Sequence, residues 1–297
     1  PDVCGKSGLH VIYTPLNGTG NKPVRAILSR IGVQHCDVVK TQELPDGNFP
    51  TCPYPNPEIR QAFEQALLMA KDSPADLLLA TDPDCDRVGI AVRDENGEYR
   101  LMSGNQVGVL LLNYLLSQKK ANGTLPAQPV AVKSFVSTDL AEKIAEKYNC
   151  GFKNLLTGFK YIGELITNLE KDGRAGDFIL GFEESYGYLA GTHARDKDAV
   201  VASMLICEMA AFYKLQGQTL LDVMNDIYET FGYYVNQVAN YAFEGAAGME
   251  KMHQIMDTLR SHAPKAFAGH QVLAVSDYES SVCTSLADGT KTPIDLP

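Results

Sequence analysis

Apolar and polar residues alternate along this chain in blocks that predict strands and helices in turn. Short apolar runs bounded by turn residues predict buried strands, and they lie at 9–14, 77–80, 88–92, 130–132 and 177–180. Longer stretches with apolar residues three or four apart predict helices, at about 23–31, 57–71, 105–117, 137–148, 198–214, 219–231 and 247–261. A repeated succession of strand and helix is typical of an α/β protein.

Polar stretches rich in glycine and proline suggest the domain organisation. The segment 118–129 predicts a linker, so we place a first domain at 1–122 and a second at 123–240. From residue 233 the chain is less apolar. It predicts a helix and one strand at 272–275, followed by a weakly structured end, so 241–297 is expected to be incomplete. Since the chain begins at Pro1 without methionine, we expect it to be a piece of a longer protein.

Composition excludes several classes of function. The 297 residues carry a net charge of −10 without a basic cluster, which argues against nucleic-acid binding. The seven cysteines include no C-x-x-C pair, which favours reduced thiols and a cytoplasmic location. The longest apolar stretch, 107–116, is interrupted by Asn113 and is too short for a membrane span of about 20 residues.

The most informative stretch is T-D-P-D-C-D-R at 81–87, between two predicted strands. Asp82, Asp84 and Asp86 alternate with other residues, and Pro83 excludes a helix. In a tight loop at a strand end the three carboxylates converge, and they repel one another unless a cation lies between them. Oxygen ligands of this kind favour a hard divalent cation, and we predict Mg²⁺.

Two other known loop types, the EF-hand and the phosphatase aspartate loop, do not fit the sequence at 81–87. An EF-hand loop starting at Asp82 requires glycine at its sixth position and glutamate at its twelfth, where this chain has Arg87 and Arg93. The phosphatase signature D-x-D-x-T/V also fails, because its last slot holds a third aspartate. A solvated acidic turn remains open. Arg87 adds a cation that suits a metal site acting on phosphate.

A second polar group follows the predicted strand at 177–180. The sequence G-F-E-E-S-Y-G-Y at 181–188 places Glu183, Glu184 and Ser185 beside aromatic rings. Carboxylates and hydroxyls suit sugar hydroxyl groups, and an aromatic ring suits the apolar face of a sugar. Taken alone, the pattern fits an ordinary acidic loop before a helix better than a binding site.

Three further motifs are weak individually. Arg195 and Lys197 lie in H-A-R-D-K-D before a predicted helix and have the charge to hold a phosphate, although alternating surface charge explains them better alone. The stretch T-G-F-K-Y-I-G at 157–163 fits a capped helix start. The stretch N-G-T-G at 17–20 fits a tight turn better than a phosphate cradle.

Together and in order, these motifs resemble those of the α-D-phosphohexomutase superfamily, and in particular bacterial phosphoglucomutase/phosphomannomutase-type proteins. The opening Y-T-P-L-N-G-T-G and the stretch K-S-F-V-S-T-D at 133–139 match the same branch. The resemblance covers nearly the whole chain. It implies two consecutive mixed-sheet α/β/α domains of the phosphohexomutase type, the family's second and third, followed by a partial α+β C-terminal segment from its fourth.

The resemblance also implies roles for individual residues. Mg²⁺ would be held by Asp82, Asp84 and Asp86, and Arg87 would lie beside the phosphorylated centre. The residues implied to bind substrate are Thr157, Gly158, Lys160, Glu183, Ser185, Arg195 and Lys197.

The implied reaction is a Mg²⁺-dependent phosphoryl transfer on hexose phosphates, through a phosphoserine and a sugar bisphosphate. It would interconvert glucose 1-phosphate and glucose 6-phosphate, or mannose phosphates. The chain has neither the family's T-A-S-H-N-P-like serine loop nor its R-x-S-G-T-E-P-like phosphate loop, so we expect missing flanking domains and no turnover by this chain alone. A non-catalytic sugar-phosphate or metal-binding module and a phosphopentomutase are the alternatives. Phe182, Tyr186 and Tyr188 depart from the Gly-Gly-Glu-x-Ser-Gly-His pattern of many relatives, which leaves the sugar open.

Overall fold

The computed structural model describes residues 2–237, 239 and 241–294, and it divides into two compact units between Asn236 and Gln237. The predicted domain limit at residue 240 and the last three residues of the predicted third segment lie outside the described residues. The first predicted α/β domain and the second as far as Asn236 lie in the first unit. Among the described residues, no helix combines the length and apolar character that crossing a lipid bilayer requires.

The first part of this unit is a mixed sheet with helices on both faces. Its elements are α1 (Asp2–Ser7), β1 (His10–Thr14), α2 (Asn21–Arg30), β2 (His35–Val38), α3 (Glu64–Asp72), β3 (Leu77–Thr81), β4 (Val88–Arg93), β5 (Tyr99–Met102) and α4 (Gly104–Ala121). In the described residues the strand order is β2-β1-β3-β4-β5. The first three strands are parallel, and β4 and β5 are antiparallel to their neighbours.

Burial on both faces of β3 explains its continuous apolar run. Side chains alternate between the faces of a sheet. Leu77 and Leu79 therefore lie in one core with α2 and α4, and Leu78 and Ala80 lie in another with α3. A parallel strand covered on both sides has no need of polar positions. The loop that follows β3 is therefore carried on the most buried part of the sheet.

The second part of the first unit repeats this plan. Its elements are β6 (Val130–Ser134), α5 (Leu140–Lys147), β7 (Gly151–Leu155), α6 (Phe159–Lys171), β8 (Phe178–Phe182), β9 (Tyr188–Leu189), α7 (Ala199–Lys214) and α8 (Leu220–Phe231). In the described residues the strand order is β7-β6-β8-β9, with only β9 antiparallel. The predicted mixed-sheet α/β/α architecture is thus present twice.

Helix α7 joins the two parts. It follows the second sheet in sequence, yet it packs against α1 and α2 beside the first sheet. Its residues Ile206 and Cys207 belong to one apolar core that includes Leu77 of β3 and Ala131 of β6. This shared core explains why α7 is apolar on nearly every side.

The second unit is a helix followed by short strands. It contains α9 (Gly245–Ser261), β10 (Ala266–Phe267), β11 (His270–Gln271), β12 (Ala274–Asp277), β13 (Val282–Ser285) and β14 (Lys291–Pro293). The expectation of a weakly structured end is wrong, because β12, β13 and β14 form an antiparallel sheet. The predicted strand at 272–275 begins instead at Ala274.

Other sequence-based limits also shift. The helix predicted from residue 57 starts as a 3₁₀ turn at Arg60–Phe63 and becomes α-helical only at Glu64. The predicted linker at 118–129 is shorter, because α4 continues to Ala121. Strands β2 and β7 were not predicted, because both are partly exposed and carry polar residues that hide the apolar pattern.

Candidate metal and sugar site

The aspartate loop is the connection between β3 and β4. The last strand pair is Thr81 with Val88, and the Asp82 N–H donates to the Arg87 carbonyl over 3.2 Å to close the loop. The Asp82 Oδ1 atom accepts hydrogen bonds from the backbone N–H groups of Asp86 at 3.0 Å and Arg87 at 2.9 Å. The loop is therefore folded around the Asp82 carboxylate.

The three predicted carboxylates converge in this loop. One oxygen atom from each of Asp82, Asp84 and Asp86 lies within 4.8 Å of the others. Asp82 is 1% exposed, whereas Asp84 is open to solvent. A set of carboxylate oxygens, fixed on the protein side and open on the other, fits a hard divalent cation that keeps some of its water ligands.

Cationic side chains partly neutralise this group. The Arg87 Nε atom lies 2.7 Å from Asp82 Oδ2 and 3.7 Å from Asp86 Oδ1. Arg87 Nη1 lies 3.3 Å from a carboxylate oxygen of Glu58, and Lys197 Nζ lies 2.9 Å from Asp86 Oδ2. Burial raises the pKa of Asp82 to about 6, because the hydrogen bonds from Arg87 offset only part of the cost of desolvation.

The turn at 17–20 packs against the aspartate loop and is hydrogen-bonded to it. Thr19 donates its backbone N–H to the Pro83 carbonyl over 2.8 Å, and its hydroxyl reaches the same oxygen at 3.1 Å. A Cβ atom at Gly18 would lie 2.3 Å from the Pro83 Cα atom, so only glycine fits. The glycine in this turn therefore allows close packing of two loops, which agrees with the tight-turn interpretation.

The second polar loop connects β8 to β9. The Glu183 N–H donates to the Gly187 carbonyl over 2.9 Å, and the Glu183 carboxylate accepts a 2.8 Å hydrogen bond from the backbone N–H of Gly158. Burial raises the pKa of Glu183, while the Gly158 N–H acts in the opposite direction. The Ser185 hydroxyl is half-buried and has no hydrogen-bond partner among the described residues.

The two loops are bonded directly to each other. The Val88 N–H donates to the Tyr186 carbonyl over 3.1 Å, and Arg87 forms an antiparallel bridge with Gly187. Farther along, the Ala199 N–H at the start of α7 donates to the Cys85 carbonyl over 3.2 Å. A cation at the aspartates and a ligand at Glu183 would therefore share one rigid piece of backbone.

Matches to known proteins agree with this arrangement. Residues 2–97 match the family model of phosphoglucomutase/phosphomannomutase, alpha/beta/alpha domain II, and residues 103–231 match that of domain III. The chain belongs to the α-D-phosphohexomutase superfamily. The predicted resemblance and fold class are therefore confirmed.

The similarity extends over nearly all of this phosphohexomutase chain. The phosphoglucomutase of Staphylococcus aureus strain MRSA252 is 39% identical over 292 residues, which covers 98% of this chain and 52% of that protein. The chain thus spans about half the length of the curated relatives it matches.

Solved structures show the same fold. The pp63/parafusin phosphoglucomutase of Paramecium superimposes with a TM-score of 0.64 at 18% identity, covering 98% of this chain and 49% of its own. A phosphoglucomutase/phosphomannomutase family protein of Burkholderia thailandensis gives 0.60 at 16% identity, with 89% and 49% covered.

The remaining predicted site residues do not all come together. Thr157 and Lys160 are exposed at the start of α6, and Lys160 Nζ lies 4.8 Å from the ring centroid of Tyr161. Lys197 contacts the aspartate loop. Arg195 instead contacts Glu170 and Thr167 of α6, so the two cations of this motif have different partners.

The sequence interpretation assigned no role to several residues that shape the site. Glu58 contacts Arg87, and Ser134 and Ser137 contact Glu184. Ser134 and Ser137 belong to K-S-F-V-S-T-D, which was noted only as a family match. Glu58 directly follows Pro57 in an irregular loop, and no local pattern distinguished it.

Proposed function

We propose that this chain forms the cation-binding and sugar-binding parts of a phosphohexose mutase that interconverts glucose 1-phosphate and glucose 6-phosphate. The observation that carries this proposal is the direct bonding of the aspartate loop to the loop of Glu183 and Ser185. A cation-binding carboxylate group and a sugar-binding group must be adjacent for phosphoryl transfer to a sugar.

Mg²⁺ is the cation we propose for Asp82, Asp84 and Asp86. All three offer oxygen ligands, which Mg²⁺ prefers, and the exposure of Asp84 leaves room for water and a phosphate oxygen. A bound Mg²⁺ supplies positive charge that stabilises the charge developing on a transferring phosphoryl group. The phosphoryl donor that the family resemblance implies is a phosphoserine.

The cationic side chains of Arg87 and Lys197 are suited to bind the phosphate group. Arg87 is held by Asp82 and Glu58, so its guanidinium is fixed in orientation beside the carboxylates. Lys197 lies at the same edge, with its ammonium 2.9 Å from Asp86. We propose that both side chains attract the phosphate group and orient it for transfer.

On the sugar side, Glu183 and Ser185 supply hydrogen-bonding atoms at a fixed spacing. Glu183 has one oxygen committed to Gly158, and its carboxylate can accept further bonds from sugar hydroxyls. The reaction requires the sugar bisphosphate to bind in two orientations. Hydroxyl contacts of this kind tolerate both, since a sugar presents hydroxyl groups on either side.

Calorimetric titration of this chain tests the proposal. Mg²⁺ and then glucose 1-phosphate are titrated, with mannose 1-phosphate and ribose 1-phosphate as competitors for sugar preference. We expect Asp84→Asn to abolish Mg²⁺ binding while circular dichroism and melting stay unchanged, since Asp84 is exposed. Asp288→Asn, in the second unit, is the matched control. Undiminished Mg²⁺ binding in Asp84→Asn would remove the proposed cation site.

A further inference from the structure

The loop at 183–187, which we propose binds the sugar and call the sugar-binding loop, contains two adjacent glutamates whose side chains point in different directions. Glu183 reaches Gly158, whereas the Glu184 Oε2 atom accepts hydrogen bonds from the hydroxyls of Ser134 at 2.7 Å and Ser137 at 3.1 Å. The two serine oxygens are 2.7 Å apart, and both residues are buried. Each hydroxyl has one proton, so two of these three contacts carry a hydrogen bond at any time.

Hydrogen bonds in and around the turn at 134–138 fix the positions of Ser134 and Ser137. The Ser137 N–H donates to the Ser134 carbonyl over 3.0 Å, which closes the turn after β6. The fully buried Lys133 donates to the Ser137 carbonyl over 3.0 Å and lies 3.1 Å from an Asp139 carboxylate oxygen. Asn105 of α4 accepts the Thr138 N–H over 2.9 Å. The position of the serine pair is therefore set independently of the sugar-binding loop.

The backbone of the sugar-binding loop also has little freedom at Glu184. A Cβ atom at Gly104 would lie 2.1 Å from the Glu184 carbonyl oxygen, so α4 begins in direct contact with this loop. Tyr186, two residues later, has a φ of 68°, a conformation that costs a non-glycine residue about 1 kcal/mol. A strained loop needs anchors on each side, and Glu184 is its side-chain anchor to the β6 turn.

We propose that Glu184 is a positioning residue, which fixes Glu183 and Ser185 through its bonds to Ser134 and Ser137 and does not touch the sugar itself. The inference rests on the proposed function for its consequence in sugar binding. Both serine bonds end on one carboxylate oxygen, so the anchor needs an acceptor atom and not a negative charge. Glutamine offers such an oxygen in the same place, whereas methionine has a similar length and no such acceptor.

The experiment compares Glu184→Met, Glu184→Gln and the double variant Ser134→Ala/Ser137→Ala with the unmodified chain. Glu164→Met, at an exposed position of α6, is the matched control. Hydrogen–deuterium exchange reports on the amides of Gly158, Glu183 and Val88, which donate within and around the loop. Calorimetry gives the affinities for glucose 1-phosphate and for Mn²⁺, which serves as the divalent probe of the proposed Mg²⁺ site.

We expect Glu184→Met and the double variant to speed exchange at these amides and weaken glucose 1-phosphate binding about tenfold. Mn²⁺ affinity should change less than about twofold, because the aspartate loop closes on its own backbone. Glu184→Gln should restore both exchange protection and sugar-phosphate affinity. A residue needed only for overall stability would not give this split or this rescue.

Unchanged exchange in Glu184→Met would overturn the proposal, and equal losses in Glu184→Gln and Glu184→Met would overturn the role of the acceptor oxygen. If the unmodified chain does not bind glucose 1-phosphate, the proposed function fails while the exchange data still decide whether Glu184 positions the loop. If Glu184→Met does not fold, Ser137→Ala alone removes one bond, and the same exchange comparison decides.

Discussion

The aspartate loop and the proposed sugar-binding loop lie side by side, but they are held in different ways. The aspartate loop is a hairpin connection whose backbone N–H groups bond to the carboxylate of its own first residue, Asp82. The sugar-binding loop has one internal backbone bond, from Glu183 to Gly187, but its glutamate side chains bond to residues elsewhere in the chain, Glu183 to Gly158 and Glu184 to Ser134 and Ser137. A locally closed site can be recognised from a short motif, whereas an externally supported one requires the fold.

The largest expected effects come from substituting two glycines, one packed against each loop. Gly18→Ala places a methyl group against Pro83, and Gly104→Ala places one against Glu184. Because backbone must move in each case, we expect each variant to lose about 3 kcal/mol in the free energy of unfolding. Gly18→Ala should also weaken Mn²⁺ binding, and Gly104→Ala should weaken sugar-phosphate binding. Urea unfolding and calorimetry measure both, with Gly47→Ala in open space as the control.

Arg87 should have the next largest effect, because its removal leaves a buried carboxylate without its cation. We expect Arg87→Met to lower the free energy of unfolding by about 2 kcal/mol, less than for a fully buried pair, since Arg87 is partly exposed. Arg100→Met removes a surface ion pair with Asp94 and is the control. Equal losses in the two variants would show that the Asp82 pair is no stronger than a surface pair.

The protonation of Asp82 provides a test through pH. Its pKa is raised from 3.8 to about 6, so the folded protein keeps a proton that the unfolded chain has lost in this range. The stability gained from this proton is complete below about pH 4 and is lost as pH rises through about 6. We therefore expect the unmodified chain, in chelator, to lose stability relative to Asp82→Asn between these limits. A relative gain over this range, measured by urea unfolding, would contradict the assignment.

The smallest expected effect is at Lys160. It is exposed and its ammonium lies over the Tyr161 ring, so Lys160→Met should change the free energy of unfolding by less than about 0.5 kcal/mol. If Lys160 contributes its charge to the sugar-phosphate site, affinity for glucose 1-phosphate should fall about threefold. Affinity equal to that of the unmodified chain would exclude Lys160 from the site.

The contrast between the loops also explains what the sequence could predict. The spacing of Asp82, Asp84 and Asp86 with Pro83 indicated a converging loop, and the structure brings these carboxylates together. The bonds from Ser134 and Ser137 to Glu184 join residues about fifty positions apart, so no local pattern could reveal them. Lys197 and Arg195 appeared as one motif, but packing against different elements separates their partners.

Strand predictions show a similar limit. The continuous run of β3 was recognisable because both of its faces are buried, whereas the edge strands β2 and β7 are partly exposed and were missed. Tyr186 adopts a positive φ in the loop where the pattern of many relatives has glycine. Its carbonyl accepts a hydrogen bond from the Val88 N–H and its ring packs against the apolar core, and both contacts help to keep a tyrosine in that conformation.

The position of α7 has a consequence for synthesis of this protein on the ribosome. Strand β3 is made early, but α7, which shares its core, follows only after the stretch 82–198. At about 5 to 20 residues per second, this delay is on the order of ten seconds. During that time part of the apolar surface beside the first sheet is exposed to solvent. We therefore expect the nascent chain to bind chaperones that recognise exposed apolar segments.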